Sequence, residues 1–186
     1  MPDKKPPKIL NTTTIAKSRI FTIEQLDLRF SNGVETRYER LKSSQNGAVL
    51  IVPMLDDDTV LLIREYAAGV QRYELALPKG KVEAGENFLD AANREIMEEI
   101  GYAANALQHL STLSIAPGYL GHETHIILAE DLYECRAEGD EPEEIEVIPW
   151  KLSQISTLLQ ETECTEARSI AALFMTIEKI KQRRSG

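Results

Sequence analysis

The amino-acid sequence predicts an α/β fold, a layered sandwich and not a TIM barrel. Three observations lead to this class: a strongly apolar segment at 48–52 is typical of a buried strand, several short strand segments follow it, and few segments show helical periodicity. With 186 residues, 42% of them hydrophobic, the chain is long enough for one domain with its own core and a small appendage.

The N-terminal region is predicted to form this appendage, a small antiparallel β subdomain. Apolar and polar residues alternate over 18–40 and are interrupted at Ser31-Asn32-Gly33, and Asn-Gly indicates a hairpin because both residues tolerate positive φ. A hairpin of this size buries too little apolar surface to stand alone. We therefore expect it to pack on the main domain or on a second copy of the chain in a homodimer, with exchange between subunits as one solution.

The predicted domain organisation has three parts, separated at a polar, turn-rich stretch over 42–47. Residues 1–8 form a flexible tail, residues 9–46 form the N-terminal β-hairpin subdomain, and residues 47–186 form the main domain. In the main domain we predict strands at 48–55, 60–66, 71–77, 109–114, 124–130 and 146–150, and helices at 88–100, 152–159 and 170–180. An acidic loop is predicted at 138–144.

Composition excludes several classes of partner. The net charge is −9 and the pI is about 4.9, so nucleic acid and anionic membranes are repelled, and an anionic substrate must arrive with a cation. Cys135 and Cys164 lack metal-ligand spacing, which favours a reduced, cytoplasmic setting. Neither a signal peptide nor an apolar run of roughly 18 residues is present, so no membrane association is expected.

The segment at 88–100 predicts a helix with an acidic stripe. Asn87 is a good N-cap and Gly101 a good stop. Glu95, Glu98 and Glu99 then share one arc beside the apolar arc, close enough to repel each other. A solvated charged face is the ordinary explanation of such a stripe.

The sequence around the stripe favours a metal site instead. The helix has no lysine, and its one cation, Arg94, is expected to point to the side of the acidic arc. Clustered carboxylates suit Mg²⁺, with Mn²⁺ as the alternative. Before the helix, Lys79-Gly80 ends a strand at a turn that can present a main-chain carbonyl as a further oxygen ligand.

These residues resemble the signature of a known family. The spacing is Gly80, five residues, Glu86, seven residues, Arg94-Glu95-Ile96, one residue, Glu98-Glu99, one residue, Gly101-Tyr102. It matches every fixed position of the Nudix box, and only Tyr102, where an aliphatic residue is usual, departs from it. The chain is identified as a member of the Nudix family, and its N-terminal segment is similar to that of ADP-sugar and ADP-compound pyrophosphatases. The resemblance implies a Nudix α/β/α sandwich around a mixed β-sheet.

The resemblance also implies roles for residues in and near the box. Glu95 and Glu99 resemble the principal metal ligands, Glu98 a further ligand or direct catalytic assistant, and the Lys79 carbonyl an additional ligand. Gly80 belongs to the same loop, and Glu86 and Arg94 resemble an ion pair that fixes this loop against the helix.

A general base is sought outside the box. The segment 116–125 resembles the loop that carries a catalytic or metal-binding glutamate in ADP-ribose pyrophosphatases, which makes Glu123 the candidate, against the alternative of an ordinary exposed loop glutamate. His122-Glu123-Thr124-His125 is one residue short of a zinc-protease signature, and this spacing would put the two histidines on opposite faces of a strand.

Substrate contacts are implied by a weaker resemblance to the ADP-ribose type of the family. Arg64 is a candidate for pairing with phosphate and Tyr66 for stacking on adenine, against the alternatives of an exposed strand residue and a core residue. Glu74 and Arg168 lie in stretches similar to those near the site in relatives.

The function that these features imply is Mg²⁺-dependent hydrolysis of a small-molecule nucleotide. The expected reaction cleaves the diphosphate of ADP-ribose or related ADP-containing compounds, such as dinucleoside polyphosphates or NADH, and releases AMP. Two alternatives stay open: another nucleoside diphosphate sugar as substrate, or a nucleotide-binding regulatory module without turnover.

Overall fold

The computed structural model describes residues 5–42, 46–139 and 142–185. Within it, the chain forms two compact units: one holds the N-terminal region together with Ser114–Glu123, and the other holds Asn46–Leu113 and the residues from Thr124 onward. Parts of three predicted features lie outside the described residues, namely 1–4 of the tail, 43–45 of the boundary stretch and 140–141 of the acidic loop.

The first unit contains a three-stranded antiparallel sheet in the order β1 (Lys8–Lys17), β2 (Thr22–Arg29) and β3 (Glu35–Leu41). The hairpin of β2 and β3 agrees with the alternating pattern, and the sheet contains a further strand, β1, that the pattern did not predict. The missed strand β1 is polar and rich in threonine, a β-branched residue that suits strands without alternating in hydropathy. In the turn, only Gly33 has positive φ (86°), while the Asn32 side chain accepts a hydrogen bond from the Val34 N–H (3.1 Å).

Most apolar side chains of this sheet are exposed. Leu26 and Leu28 of β2 are buried, as is Glu24, whose carboxylate pairs with Arg40 (2.9 Å) and Lys42 (3.1 Å). Within residues 5–42 of this unit, the large hydrophobic side chains that remain exposed are Ile9, Leu10, Ile15, Ile20, Phe21, Val34 and Tyr38. The segment Ser114–Glu123 of the same unit contacts the end of β3, where the Leu41 N–H donates to the Tyr119 carbonyl (2.8 Å).

The described residues of the second unit form seven strands and three α-helices. Its elements are β4 (Ala48–Pro53), β5 (Thr59–Ala67), β6 (Arg72–Ala76), β7 (Lys79–Lys81), α1 (Phe88–Glu99), β8 (Tyr102–Ser114), β9 (Glu123–Glu134), β10 (Glu146–Lys151), a 3-10 turn (Leu152–Gln154), α2 (Ile155–Leu158) and α3 (Ala167–Ser185). One sheet has the order β7-β4-β9-β8, with β4 parallel to β9 and antiparallel to β7. The other has the antiparallel order β10-β5-β6.

Alternate residues of the central strands enter two separate cores. On one side, Leu50 and Val52 of β4 pack in a cluster that includes Leu173 of α3. On the other side, Val49 and Ile51 pack with Ala92 and Ile96 of α1. Strands β5 and β9 alternate in the same way, so the sheets lie between a layer with α1 and a layer with α3. This confirms the predicted α/β/α sandwich around a mixed sheet.

Several element boundaries differ from the predictions, and the largest differences concern β8 and the helix predicted at 152–159. Strand β8 begins at Tyr102, not at 109, because its first half is rich in alanine and asparagine and carries little strand signal. The predicted helix at 152–159 is only a 3-10 turn followed by the four residues of α2. Among the described residues, no helix combines the length and apolar character needed to cross a membrane.

Candidate active site

Helix α1 has well-defined ends. The Asn87 side-chain oxygen accepts hydrogen bonds from the N–H groups of Leu89 (2.9 Å) and Asp90 (3.0 Å), which caps the first turn. The helix ends at Glu99, and Gly101 follows with a φ of 77°, the left-handed conformation predicted for a stop. These ends fix the register of the helix and therefore the face on which its carboxylates lie.

The three glutamates of the acidic stripe border the buried face of α1. Glu95 is 8% exposed and Glu99 is 4% exposed, while Glu98 is half-buried. Burial raises the pKa of Glu99 to about 8, because the charged form has lost solvent without gaining an equal compensating charge. The helix therefore places negative charge where a cation would stabilise it.

Strand β7 lies directly against this face. The backbone N–H of Lys79 donates to Glu99 Oε2 (3.0 Å), and Lys79 Nζ donates to Glu65 Oε2 (2.6 Å). At Gly80, a Cβ atom would lie 1.9 Å from Glu95 Cδ, so only glycine leaves room for the carboxylate in this position. The main chain of β7 thus contacts two of the three glutamates.

Arg94 joins the loop before α1 to the helix. Its Nε and Nη2 donate to the two carboxylate oxygens of Glu86 (3.1 Å each), and Nη2 also donates to the Lys81 carbonyl (2.9 Å). Its Nη1 donates to Glu95 Oε1 (2.9 Å) and Glu98 Oε2 (3.1 Å). The expectation that Arg94 points to the side of the acidic arc was wrong, because the long side chain reaches both carboxylates.

The same contacts shift the pKa values of this network. Hydrogen bonds from Arg94 hold the pKa of Glu86 below its usual range, and the contacts with Glu86 raise the pKa of Arg94. Both groups therefore stay charged, as a bidentate pair requires. The pair ties residues 81–86 to the helix.

The donor set fits a hard divalent cation. Three carboxylates on one helix face, next to the main chain of β7, supply the oxygen ligands that Mg²⁺ and Mn²⁺ prefer. Among the described residues, no three acidic, histidine or cysteine groups converge on one point. In the arrangement described, Arg94 holds one oxygen each of Glu95 and Glu98.

A cavity of about 340 Å³ lies beside Glu98 and Glu99. Its other side is formed by the loop after β9, including Arg136, Glu138 and Glu143. No role was predicted for this acidic loop, because its residues are far from the Nudix box in the chain and a charge run alone indicates only a solvated segment. The fold nevertheless brings the loop to the carboxylates of α1.

Comparisons with known proteins agree with this arrangement. Residues 45–174 match the family model of the NUDIX domain, and residues 7–40 match that of the NudE-type Nudix hydrolase N-terminal domain. The chain is a Nudix hydrolase. Members of this family generally use divalent metal ions.

Relatives of this Nudix hydrolase are similar to it over almost the whole length of the chain. It is 47% identical to the ADP compounds hydrolase NudE of Escherichia coli K12 over 94% of each chain. It is 31% identical to an ADP-ribose pyrophosphatase of Bacillus subtilis over 89% of this chain and 92% of that one. A crystal structure of an ADP compounds hydrolase superimposes with a TM-score of 0.90 at 46% identity, covering 97% of both chains.

The residues predicted to contact substrate in this Nudix hydrolase lie in other polar networks. Arg64 pairs with Glu146 (2.5 Å) and Glu163 (3.0 Å), so its charge is already compensated. Buried Glu74 accepts hydrogen bonds from Arg72 Nε (2.6 Å) and from the Thr165 hydroxyl, and stabilises the segment that leads to α3.

Arg168 and Tyr66 differ in their surroundings. Arg168, at the start of α3, pairs with Glu166 (2.7 Å) and donates to the hydroxyl of Thr124 in β9 (3.2 Å). The Tyr66 ring is half-exposed on β5 and meets Tyr73 of β6 edge-on, with ring centroids 5.6 Å apart. Of these candidates, the Tyr66 ring is accessible in the way that stacking on a base requires.

The candidate base Glu123 and the neighbouring His125 lie outside the Nudix box in the sequence. Glu123 is exposed, begins β9 and belongs to the first unit. His125 stacks on Phe88, with ring centroids 4.8 Å apart, and its Nδ1 lies 3.0 Å from the Thr112 hydroxyl. Aromatic packing therefore accounts for the position of His125 without a zinc ion.

Proposed function

We propose that this Nudix hydrolase is a Mg²⁺-dependent pyrophosphohydrolase that cleaves the diphosphate of ADP-ribose and related ADP-containing compounds and releases AMP. Dinucleoside polyphosphates and NADH belong to the same substrate class. The observation that carries the proposal is the burial of Glu95 and Glu99 against Lys79 and Gly80. The names of the E. coli and B. subtilis relatives support the choice of ADP-containing substrates.

In the proposed reaction, Glu95, Glu98, Glu99 and the Lys79 carbonyl hold the cation. When bound there, Mg²⁺, or Mn²⁺ as the alternative, would supply positive charge for the diphosphate and would lower the pKa of a bound water. Glu98 assists directly, and Arg94 fixes the ligands through its hydrogen bonds. Glu123 is the proposed group that takes the proton from the attacking water, and Glu123→Gln should slow turnover without weakening nucleotide binding.

Recognition of the substrate is proposed to use residues beyond the box. Tyr66 offers an accessible ring for the adenine base. Arg64 has to exchange Glu146 or Glu163 for phosphate, and Arg168 has to release Glu166. Glu74 contributes by holding the segment before α3.

We further propose that the enzyme is a cytoplasmic homodimer without affinity for nucleic acid. The strands and turns of residues 5–42 leave seven large hydrophobic side chains exposed, and a second subunit would cover them. Size-exclusion chromatography of the full chain and of a chain that starts at residue 46 tests this. A full chain that elutes as a monomer, or a truncated chain that still elutes as a dimer, would contradict the proposed role of the N-terminal sheet.

The hydrolysis proposal is tested by measuring AMP release from ADP-ribose, from a dinucleoside triphosphate and from NADH, each with Mg²⁺ and with chelator. We expect chelator-sensitive AMP from at least one of them, and loss of activity by orders of magnitude in Glu99→Gln with unchanged folding. Absence of AMP from all three, with nucleotide binding retained, would favour another nucleoside diphosphate sugar or a regulatory module.

A further inference from the structure

Glu143, in the loop after β9, has an unfavourable electrostatic position. It lines the cavity that also contains Glu98, Glu99 and, from its own loop, Glu138 and Glu144. The negative charges of these carboxylates repel one another, and Glu143, which is exposed, can relieve the repulsion by turning into solvent. A carboxylate that stays in the cavity therefore needs a group that holds it there.

Tyr73 of β6 is that group. Its hydroxyl donates a hydrogen bond of 2.8 Å to Glu143 Oε1, although the two residues lie in distant parts of the chain. The ring itself is held edge-on against Tyr66 of the neighbouring strand, which fixes the direction of the hydroxyl. The hydrogen bond raises the pKa of Tyr73, as expected for a phenol beside a carboxylate.

The Tyr73 hydroxyl is a neutral donor to the loop after β9, whereas Arg136 is a cation within that loop. Arg136 lies 3.9 Å from Glu144 and compensates its charge. A phenol at neutral pH orients a carboxylate through a hydrogen bond and supplies no compensating positive charge.

We propose that Tyr73 is a positioning residue that holds the Glu143 carboxylate in the cavity with Glu98 and Glu99 during hydrolysis. The inference rests on the proposed function, because it assigns Glu143 to the same reaction site. Tyr73 itself does not touch the reacting atoms. Its contribution depends on the hydroxyl and not on the ring.

Steady-state kinetics of Tyr73→Phe test the inference. The substitution keeps the ring and removes the hydrogen bond, so we expect kcat to fall about tenfold while KM stays unchanged. Tyr133→Phe is the matched control, since Tyr133 is exposed to a similar extent (46% against 41%) and lies on β9. It should keep the kcat and KM of the unmodified enzyme. Equal thermal unfolding of the two variants shows that the fold is intact.

A double-mutant cycle with Glu143→Ala shows whether Tyr73 acts through Glu143. If it does, Tyr73→Phe has no further effect once Glu143 is truncated. Unchanged kcat in Tyr73→Phe, or multiplicative effects in the double variant, would overturn the inference. A raised KM with unchanged kcat would also overturn it, since the hydroxyl would then contact the substrate.

A spectroscopic measurement separates this inference from the proposed function. Tyrosinate absorbance is measured as a function of pH, and the step that is absent in Tyr73→Phe is the titration of Tyr73. In Glu143→Ala this step should move to lower pH. If the enzyme hydrolyses none of the ADP-containing nucleotides, the proposed function fails, and this titration still decides whether Tyr73 holds Glu143. A titration that Glu143→Ala leaves in place would overturn the contact.

Discussion

Gly80 of β7 and Glu95 of α1 lie so close together that any Cβ atom at position 80 would overlap the Glu95 carboxylate. The nearest separation would be 1.9 Å, to Cδ and to Oε1. The atoms in the way are the end of a flexible side chain, so the main chain need not move to relieve the overlap. A side chain at position 80 therefore displaces a proposed metal ligand while leaving the fold in place.

Gly80→Ala is expected to reduce turnover and Mg²⁺ affinity about 10- to 100-fold, with little change in thermal stability. Activity measured over a range of Mg²⁺ concentrations, together with thermal unfolding, checks this. Gly69→Ala is the matched control, because a Cβ atom there meets nothing within 4 Å. If Gly80→Ala keeps normal Mg²⁺ affinity and turnover, Glu95 is not a ligand in the position described.

Arg94→Lys is expected to reduce turnover about 10- to 100-fold although the charge is conserved. A lysine cannot reproduce the planar set of donors that reaches Glu86, Glu95, Glu98 and the Lys81 carbonyl together. Kinetic assays check this against Arg37→Lys, which changes an exposed arginine paired with Asp27. Equal activity of the two variants would show that only the charge of Arg94 matters.

The raised pKa of Glu99 predicts that, in chelator, the enzyme loses stability as pH rises. Between the ordinary value of 4.5 and about 8, the folded state binds more protons than the unfolded state, so the free energy of unfolding falls across this range. Glu99→Gln removes this dependence and should be more stable than the unmodified enzyme at pH 8, on the order of 2 kcal/mol. Urea unfolding at pH 5 and pH 8 measures the difference.

Mg²⁺ should reverse this pH effect only when Glu99 is present. A bound cation stabilises the ionised carboxylate and adds binding free energy to the folded state. The unmodified enzyme should therefore gain more stability from Mg²⁺ at pH 8 than Glu99→Gln does. An identical gain in both proteins would remove Glu99 from the set of ligands.

Thr176→Val is expected to stabilise the enzyme by about 1 kcal/mol. The Thr176 hydroxyl is buried on α3 and has no hydrogen-bond partner in the described part of the chain, and valine has nearly the same shape. Thermal unfolding should show a rise of about 2–4 °C. Thr165→Val is the contrasting variant, because its hydroxyl bonds to Glu74 and accepts from Arg72, and it should destabilise the enzyme. Loss of stability in Thr176→Val would mean that the hydroxyl is satisfied after all.

The fold class and the acidic helix could be predicted because their signals are local. Asn87 and Gly101 mark the ends of α1 within the sequence, and the spacing of Glu95, Glu98 and Glu99 places them on one face. The apolar segment at 48–52 predicts a buried strand in the same way. Such features need no knowledge of the rest of the chain.

What could not be predicted depends on contacts between distant residues. The pairing of Tyr73 with Glu143, and of Arg64 with Glu146 and Glu163, joins segments whose separation in sequence hides the contact. A lone arginine or tyrosine on a strand gives no indication of which carboxylate it will meet. The threonine-rich strand β1 was missed for a different reason, since its pairing with β2 does not require alternation in hydropathy.

The parallel pairing of β4 with β9 has a consequence for synthesis of the chain. Ala48 pairs with Thr124 and Pro53 with Ala129, so the centre of the sheet forms only after the Nudix motif and β8 have left the ribosome. Until then β4 has only the three residues of β7 as a neighbour in that sheet. A nascent chain stalled before β9 is therefore expected to expose an unpaired apolar strand edge, the kind of surface that pairs wrongly with other chains.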